Sequence, residues 1–192
     1  AETGHLVFST LHTNSAVGGF PRLIDLGVDS RIIGSSVNIM LGQRLARILC
    51  KECKATYEAS EREVALVTKI ASGYPEHIDI PSPLVLYKSV GCPACGGTGF
   101  KGRCSIFEAV VIDNEVEEAV IRDPREHVIL AAAEKQNIPT MAEDGIVKVL
   151  AGITSLEELE RVVDLTNTRS STPSTPTEPE GEIIDDFASH VV

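Results

Sequence analysis

Tryptophan is missing from this chain, and aromatic residues fill only 4% of its 192 positions. That scarcity argues against an aromatic-lined binding module, because stacking and cage recognition rest on exposed rings. Positive charge is also in deficit: 17 lysines and arginines face 28 acids, for a formal net charge of −11. A general nucleic-acid-binding surface needs the opposite balance, so no nucleic-acid partner is expected. Glu178, Glu180, Glu182, Asp185 and Asp186 supply part of the excess, but the rest of the chain is acidic too. No apolar run approaches the roughly 20 residues needed to span a bilayer, and no secretory leader is visible. A soluble cytoplasmic protein is the expectation.

Hydrophobic residues make up 43% of the sequence, enough for a real core. The first run, His5-Leu6-Val7-Phe8-Ser9-Thr10-Leu11, is apolar on both faces, as strands covered on both sides tend to be. It predicts a strand that needs neighbours, although only four residues precede it. Asn14 or Ser15 is expected to cap a helix running to Leu26 and stopped by Gly27, with Pro21 a possible interruption. Asp29 or Ser30 caps a second helix through Met40, and QRLARIL (43–49) reads as a strand leading into Cys50.

Farther on, Ser60-Glu61-Arg62-Glu63 is a capping box that opens a helix to about Ala71. Pro75, Pro81 and Pro83 predict a loop, LVLYKSV a strand delivering Cys92, and RCSIFEAVVI a further strand. Four helical segments follow. Their starts are expected near Asp113 or Asn114, at Asp123 with Pro124 in the first helical position, at Thr140 with Glu143, and at Ser155 with Glu158. From about Thr168 the text RSSTPSTPTEPEGE cannot bury enough apolar surface to fold, which predicts a disordered tail.

Four of the five cysteines form two pairs, Cys50-x-x-Cys53 and Cys92-x-x-Cys95. Two sulfurs three positions apart grip one metal from a single knuckle, and two knuckles complete a tetrahedral thiolate shell. Zinc suits such a shell, and with four protein ligands no position stays open for water, so the expected role is structural. The competing reading is a set of free thiols or a redox pair. Cys104, alone on a strand, reads as a small core residue. CPACGGTGFKGR also has a local similarity to the cysteine–glycine modules of DnaJ-type chaperones, but the first knuckle lacks their glycines.

His12 stands where the first strand is expected to stop, and the carboxyl ends of strands in open α/β sheets are where ligands bind. It could donate to a phosphate oxygen, or it could satisfy loop backbone groups. TGHLVFSTLHTN, RLIDLGV, QRLARILCKEC, GCPACGGTGFKGR, IFEAVV and MAEDGIVKVLAGITSLEEL occur in that order. Together, over about residues 3–165, they resemble the C-terminal part of the ATPases that drive type II secretion and type IV pilus assembly. The resemblance implies an α/β fold: the C-terminal part of a RecA-like P-loop ATPase domain with an inserted tetracysteine zinc subdomain and a C-terminal helical region. The division it suggests is core over 1–49, zinc subdomain over 50–103 and strand plus helices over 104–165, and the tail read from composition, over 166–192, departs from the family's usual ending.

By the same resemblance, His12 is the catalytic histidine facing the γ-phosphate, with Thr10 and Thr13 beside it and Gln43 and Arg44 near the nucleotide. The resemblance also implies ATP and Mg²⁺ in the intact parent, a homo-hexamer, and contact with inner-membrane platform proteins at the cytoplasmic face of the bacterial inner membrane. It further places a phosphate loop and a Walker B carboxylate ahead of His5. Gly97 and Gly102 have the spacing of a phosphate loop, but Arg103 and Cys104 stand where Lys and Ser or Thr belong. These 192 residues are therefore expected not to hydrolyse ATP. A zinc scaffold without a nucleotide role is the alternative.

Overall fold

This computed structural model describes residues 4–166, so the disordered tail expected from about Thr168 lies outside the described residues. Two antiparallel strand pairs carry the architecture. β1 (Ile39–Leu49) pairs with β4 (Phe100–Val111), and β2 (Ala55–Glu58) pairs with β3 (Val85–Lys88). Helices α1 (Gly19–Asp25) and α2 (Ser30–Ser36) come before β1, and α3 (Glu61–Ala71) lies between β2 and β3. α4 (Asn114–Arg122), α5 (Glu126–Ala133), α6 (Met141–Leu150) and α7 (Leu156–Val162) follow β4. None of the described helices is long and apolar enough to cross a membrane.

The long β1–β4 ribbon is a two-faced element. Its inner face carries Ala46 and Ile106 into one apolar cluster with Val67 and Ile70 of α3, Leu86 of β3, Ile146 of α6 and Leu159 of α7. Val110 enters a second cluster with Phe20 of α1, Ile33 of α2, Val116 and Val120 of α4 and Ile129 of α5. Burial of such side chains, each worth roughly 1.5–3 kcal/mol, is what seats the helices on the ribbon.

Most helix starts follow from their caps. Ser60 and Thr140 close capping boxes with Glu63 and Glu143, and Asp113 accepts from the Val116 N–H at 2.9 Å. Pro21 sits in the first turn of α1, where its missing N–H has no intrahelical partner to lose. Ser15 accepts from the Gly18 N–H at 3.0 Å just before that helix.

Three expectations are corrected. His5–Leu11 is not a strand: no described residue pairs with it, and Leu6, Val7 and Phe8 are exposed. An extended segment without a ladder partner or a covering layer has nothing to hold it in register. Met40 belongs to β1, because α2 stops at Ser36 and the pairing Met40 to Val110 extends the ladder. α5 begins at Glu126, with Pro124 outside it, because the Asp123 carboxylate turns to the Arg125 guanidinium and backbone N–H instead of capping. Both described sheets are antiparallel pairs.

Candidate functional site

The two strand pairs meet end to end, and the meeting point gathers the four cysteines. β1 and β4 finish at the pair Leu49–Phe100, extended by a Cys50 N–H to Gly99 carbonyl bond of 2.9 Å. β2 and β3 start at the pair Ala55–Lys88, which brings Cys53 beside the turn leading to Cys92. A separation of 38 residues in sequence is thereby erased by two ladders.

The sulfur atoms of Cys50, Cys53, Cys92 and Cys95 all lie within 4.8 Å of one another. Cys50 to Cys92 is 3.9 Å, and Cys53 to Cys95 and Cys92 to Cys95 are each 3.8 Å. A tetrahedron of sulfurs at the usual zinc–sulfur bond of about 2.3 Å has edges of about 3.8 Å. The donor set therefore has the size of a four-coordinate metal shell. No disulfide links these residues.

Three backbone N–H groups point at the sulfurs: Gly91 at Cys53 (3.3 Å), and Cys92 and Gly99 at Cys95 (3.2 Å each). Such donors favour the thiolate over the thiol. The Cys92 N–H above all, with the Gly99 N–H, lowers Cys95 to about 6 against the opposing effect of burial. Burial pushes Cys53 up to about 12. Cys95 thus gives up its proton readily, whereas Cys53 holds its own unless a cation compensates.

Two glycines make the knuckles possible. Gly91 has φ +113°, and a Cβ there would lie 2.5 Å from the Gly97 carbonyl oxygen. At Gly99, φ +76°, a Cβ would lie 2.6 Å from the Ser89 Cβ. The turn then runs directly into β4 rather than into a helix, which separates it from a phosphate loop.

The helical region is tied to the tetracysteine end through side chains. Lys54 donates to the Gly152 carbonyl at 2.8 Å while lying over the Tyr87 ring. Thr154, fully buried, donates to the Arg47 carbonyl at 2.9 Å, and Leu49 N–H reaches the Ile153 carbonyl at 2.8 Å. Arg47 stacks over Phe100, 4.1 Å from its centroid.

Glu158 is the residue that sequence reading underrated. Its Ser155-x-x-Glu spacing predicts a helix start, and Ser155 does accept from the Glu158 N–H at 3.2 Å. The carboxylate, however, is wholly buried and accepts from both Arg47 and Arg161. Burial alone would raise its pKa, but the Arg161 and Arg47 hydrogen bonds hold it down at about 2. No sequence spacing signals a partner on β1.

The expected nucleotide residues are distributed differently. Thr10 and His12 are exposed, and His12 makes no hydrogen bond or ion pair among the described residues. Thr13 donates to the Ser15 carbonyl at 2.9 Å. Arg44 reaches the same loop, donating to Asn14 Oδ1 at 3.0 Å. Gln43, one position away on the strand, projects from the other face and donates to Ser105 at 2.8 Å. Arg44 therefore adjoins the loop that carries His12 and Thr13, whereas Gln43 lies across the ribbon from it.

Comparison with known proteins places these features. The family described as type II/IV secretion system protein matches residues 1–161. The type II secretion system ATPase E of Vibrio cholerae is 41% identical over 163 residues, which cover 83% of this chain and 30% of that protein. The type IV pilus assembly ATPase PilB of Pseudomonas aeruginosa is 40% identical over 162 residues, covering 84% and 27%. PilB of Thermus thermophilus is 38% identical over 162 residues, covering 83% and 17%. The chain thus spans less than a third of the length of these relatives, and it belongs to the type II/IV secretion system protein family.

Proposed function

We propose that these residues form the C-terminal, zinc-stabilised portion of a hexameric ATPase motor for type II secretion or type IV pilus assembly. The carrying observation is the match across residues 1–161 to relatives named as ATPases of both systems. In this reading, residues 1–49 belong to a RecA-like core and 50–103 form the zinc subdomain. Residues 104–165 add a strand and the helices that support both.

Cys50, Cys53, Cys92 and Cys95 hold one zinc ion. The ion supplies cross-linking, not catalysis, since four thiolates leave no open coordination position. The chain's own residues prepare that role: the Gly91, Cys92 and Gly99 N–H groups steady the thiolates, and the two ladder ends fix their spacing. His12 senses the γ-phosphate of ATP in the longer protein, with Thr10 and Thr13 beside it and Arg44 buttressing the loop through Asn14. Gln43 contributes from the ribbon's outer face. ATP, Mg²⁺, the hexameric ring and the inner-membrane platform partners belong to that longer protein at the cytoplasmic face of the membrane.

These 192 residues do not hydrolyse ATP by themselves. They contain no G-x-x-x-x-G-K-[ST] loop, so nothing supplies the amide cradle and lysine that stabilise transferring phosphate. A malachite-green assay of the purified chain with Mg²⁺ and ATP is expected to read background, alongside one zinc per chain by mass spectrometry. Phosphate release above background, or a zinc-free folded protein, overturns this reading.

A further inference from the structure

The inner face of the β1–β4 ribbon is interrupted by two charges. Alternation along β4 puts Ile106, Glu108 and Val110 on one face, and Ile106 and Val110 are buried in the two apolar clusters. Register sets Gly42 opposite Glu108 and Arg44 opposite Ile106, so Arg44 shares that face with the buried Ala46. A carboxylate and a guanidinium thus stand where the alternation calls for apolar side chains. No ion pair joins them to each other among the described residues.

Both turn instead to the loop that follows His12. Glu108 Oε1 accepts from the Ala16 N–H at 2.6 Å, a charge-assisted bond across 92 positions of sequence. Arg44 donates to the Asn14 carbonyl at 3.4 Å and to Asn14 Oδ1 at 3.0 Å. Ala16 is only 3% exposed, so its N–H depends on Glu108 for an acceptor. The bare backbone at Gly42 opens the way for this reach. A Cβ there would lie 2.8 Å from both Cγ and Oε1 of Glu108, and 2.5 Å from the Met141 Cε.

We propose that Glu108 is a positioning residue of the histidine loop. Its carboxylate fixes Ala16 while Arg44 fixes Asn14, and Gly42 leaves room for the Glu108 side chain to cross its own cross-strand neighbour. Two bonds from two paired strands locate the loop four and two residues after His12, which sets where the imidazole is presented. The role in phosphate sensing rests on the nucleotide reading of His12 given above, whereas the anchor is a property of this chain. Plain support of the fold is the competing use of a carboxylate at such a position. It would loosen the whole cluster around Phe20, Val116 and Ile129 and leave the His12 ring undisturbed.

Nuclear magnetic resonance of the zinc-loaded chain tests the anchor. The Ala16 amide proton is expected far downfield and slow to exchange. Glu108→Ala is expected to speed that exchange by about tenfold or more and to shift the His12 ring resonances, with the amides of α4 and α5 unchanged. Glu108→Gln, whose side-chain oxygen still accepts, is expected to recover most of the protection. Gly42→Ala keeps the charge but displaces the Glu108 side chain, and is expected to act on Ala16 as Glu108→Ala does. Zinc content and circular dichroism report folding, and if Glu108→Ala unfolds, the other two variants carry the result. In the longer protein, Glu108→Ala is expected to lower kcat for ATP by about tenfold with KM nearly unchanged, and Glu108→Gln to restore most of it. A longer protein that does not turn over ATP overturns the nucleotide reading and leaves the anchor to be judged by the amide data. An Ala16 amide that exchanges like an exposed one, or His12 resonances indifferent to the folded variants, overturns the proposal.

Discussion

Arg47 and Glu158, 111 residues apart in sequence, are joined three times: by the Arg47 backbone N–H at 2.9 Å and by its Nε and terminal nitrogen at 3.0 and 2.6 Å. Arg161 holds the same carboxylate from the side of α7. The strand that delivers Cys50 is thereby fastened to the last helix. Glu158→Gln keeps the shape but loses the charge-assisted bonds, and it leaves two guanidinium groups sharing a neutral acceptor. Because Arg47 and Arg161 are about half exposed, solvent softens the loss to about 1–3 kcal/mol. The thermal midpoint is expected to drop by several degrees with zinc bound, and an unchanged midpoint refutes the clasp.

Acid should undo the same clasp. Glu158 titrates at about 2 in the folded chain against 4.5 for a free carboxyl, so its contribution is complete above about pH 4.5. Below that value the unfolded chain takes up a proton that the folded chain refuses, and stability falls as pH drops toward 2. Urea midpoints of the wild type should therefore fall more steeply from pH 5 to pH 3 than those of Glu158→Gln. Parallel curves would show that the carboxylate is not held in this way.

Metal removal is expected to loosen the junction of the two ladders more than the distal helices. Chelation removes the cation that the four sulfurs surround, leaving crowded polar groups uncompensated in a partly buried corner. Amides of Gly91, Cys92 and Gly99 should lose exchange protection first, whereas those of α4 and α5, packed in the other cluster around Val116 and Ile129, should hardly change. Cys95→Ser is expected to lower zinc affinity by orders of magnitude, read by competition with a chromogenic chelator. Equal loss of protection throughout would mean that the metal supports the fold globally.

Legibility in the sequence followed the range of the interactions. Ser60, Asp113, Thr140 and Ser155 announce their helices because a cap is satisfied within three residues. The tetracysteine set is legible because each knuckle is a four-residue unit, even though the ladders that join the knuckles are not. His5–Leu11 reads as a strand from composition alone, but a strand is defined by a partner, and no described residue supplies one. Asp123 shows the limit at shortest range: two local partners, a helix start and an arginine, compete for one carboxylate, and the arginine wins. Arg47 with Glu158 shows the limit at longest range.

Gly91 gives the narrowest test of how the second knuckle is built. Its φ of +113° is strained for any residue with a Cβ, and an added methyl would lie 2.5 Å from the Gly97 carbonyl oxygen. That oxygen belongs to the turn immediately after Cys95, so relief of the clash must move either the Cys53 hydrogen bond or the Cys95 side of the shell. The strain alone is about 1–3 kcal/mol. Because both escape routes run through a sulfur, Gly91→Ala should weaken zinc binding as well as lower the thermal midpoint. Gly4→Ala, with positive φ but nothing within 4 Å of the added carbon, should leave zinc affinity intact. If Gly91→Ala binds zinc as tightly as the wild type, the turn tolerates a side chain and the close approach of Gly91 to Gly97 does not govern the knuckle.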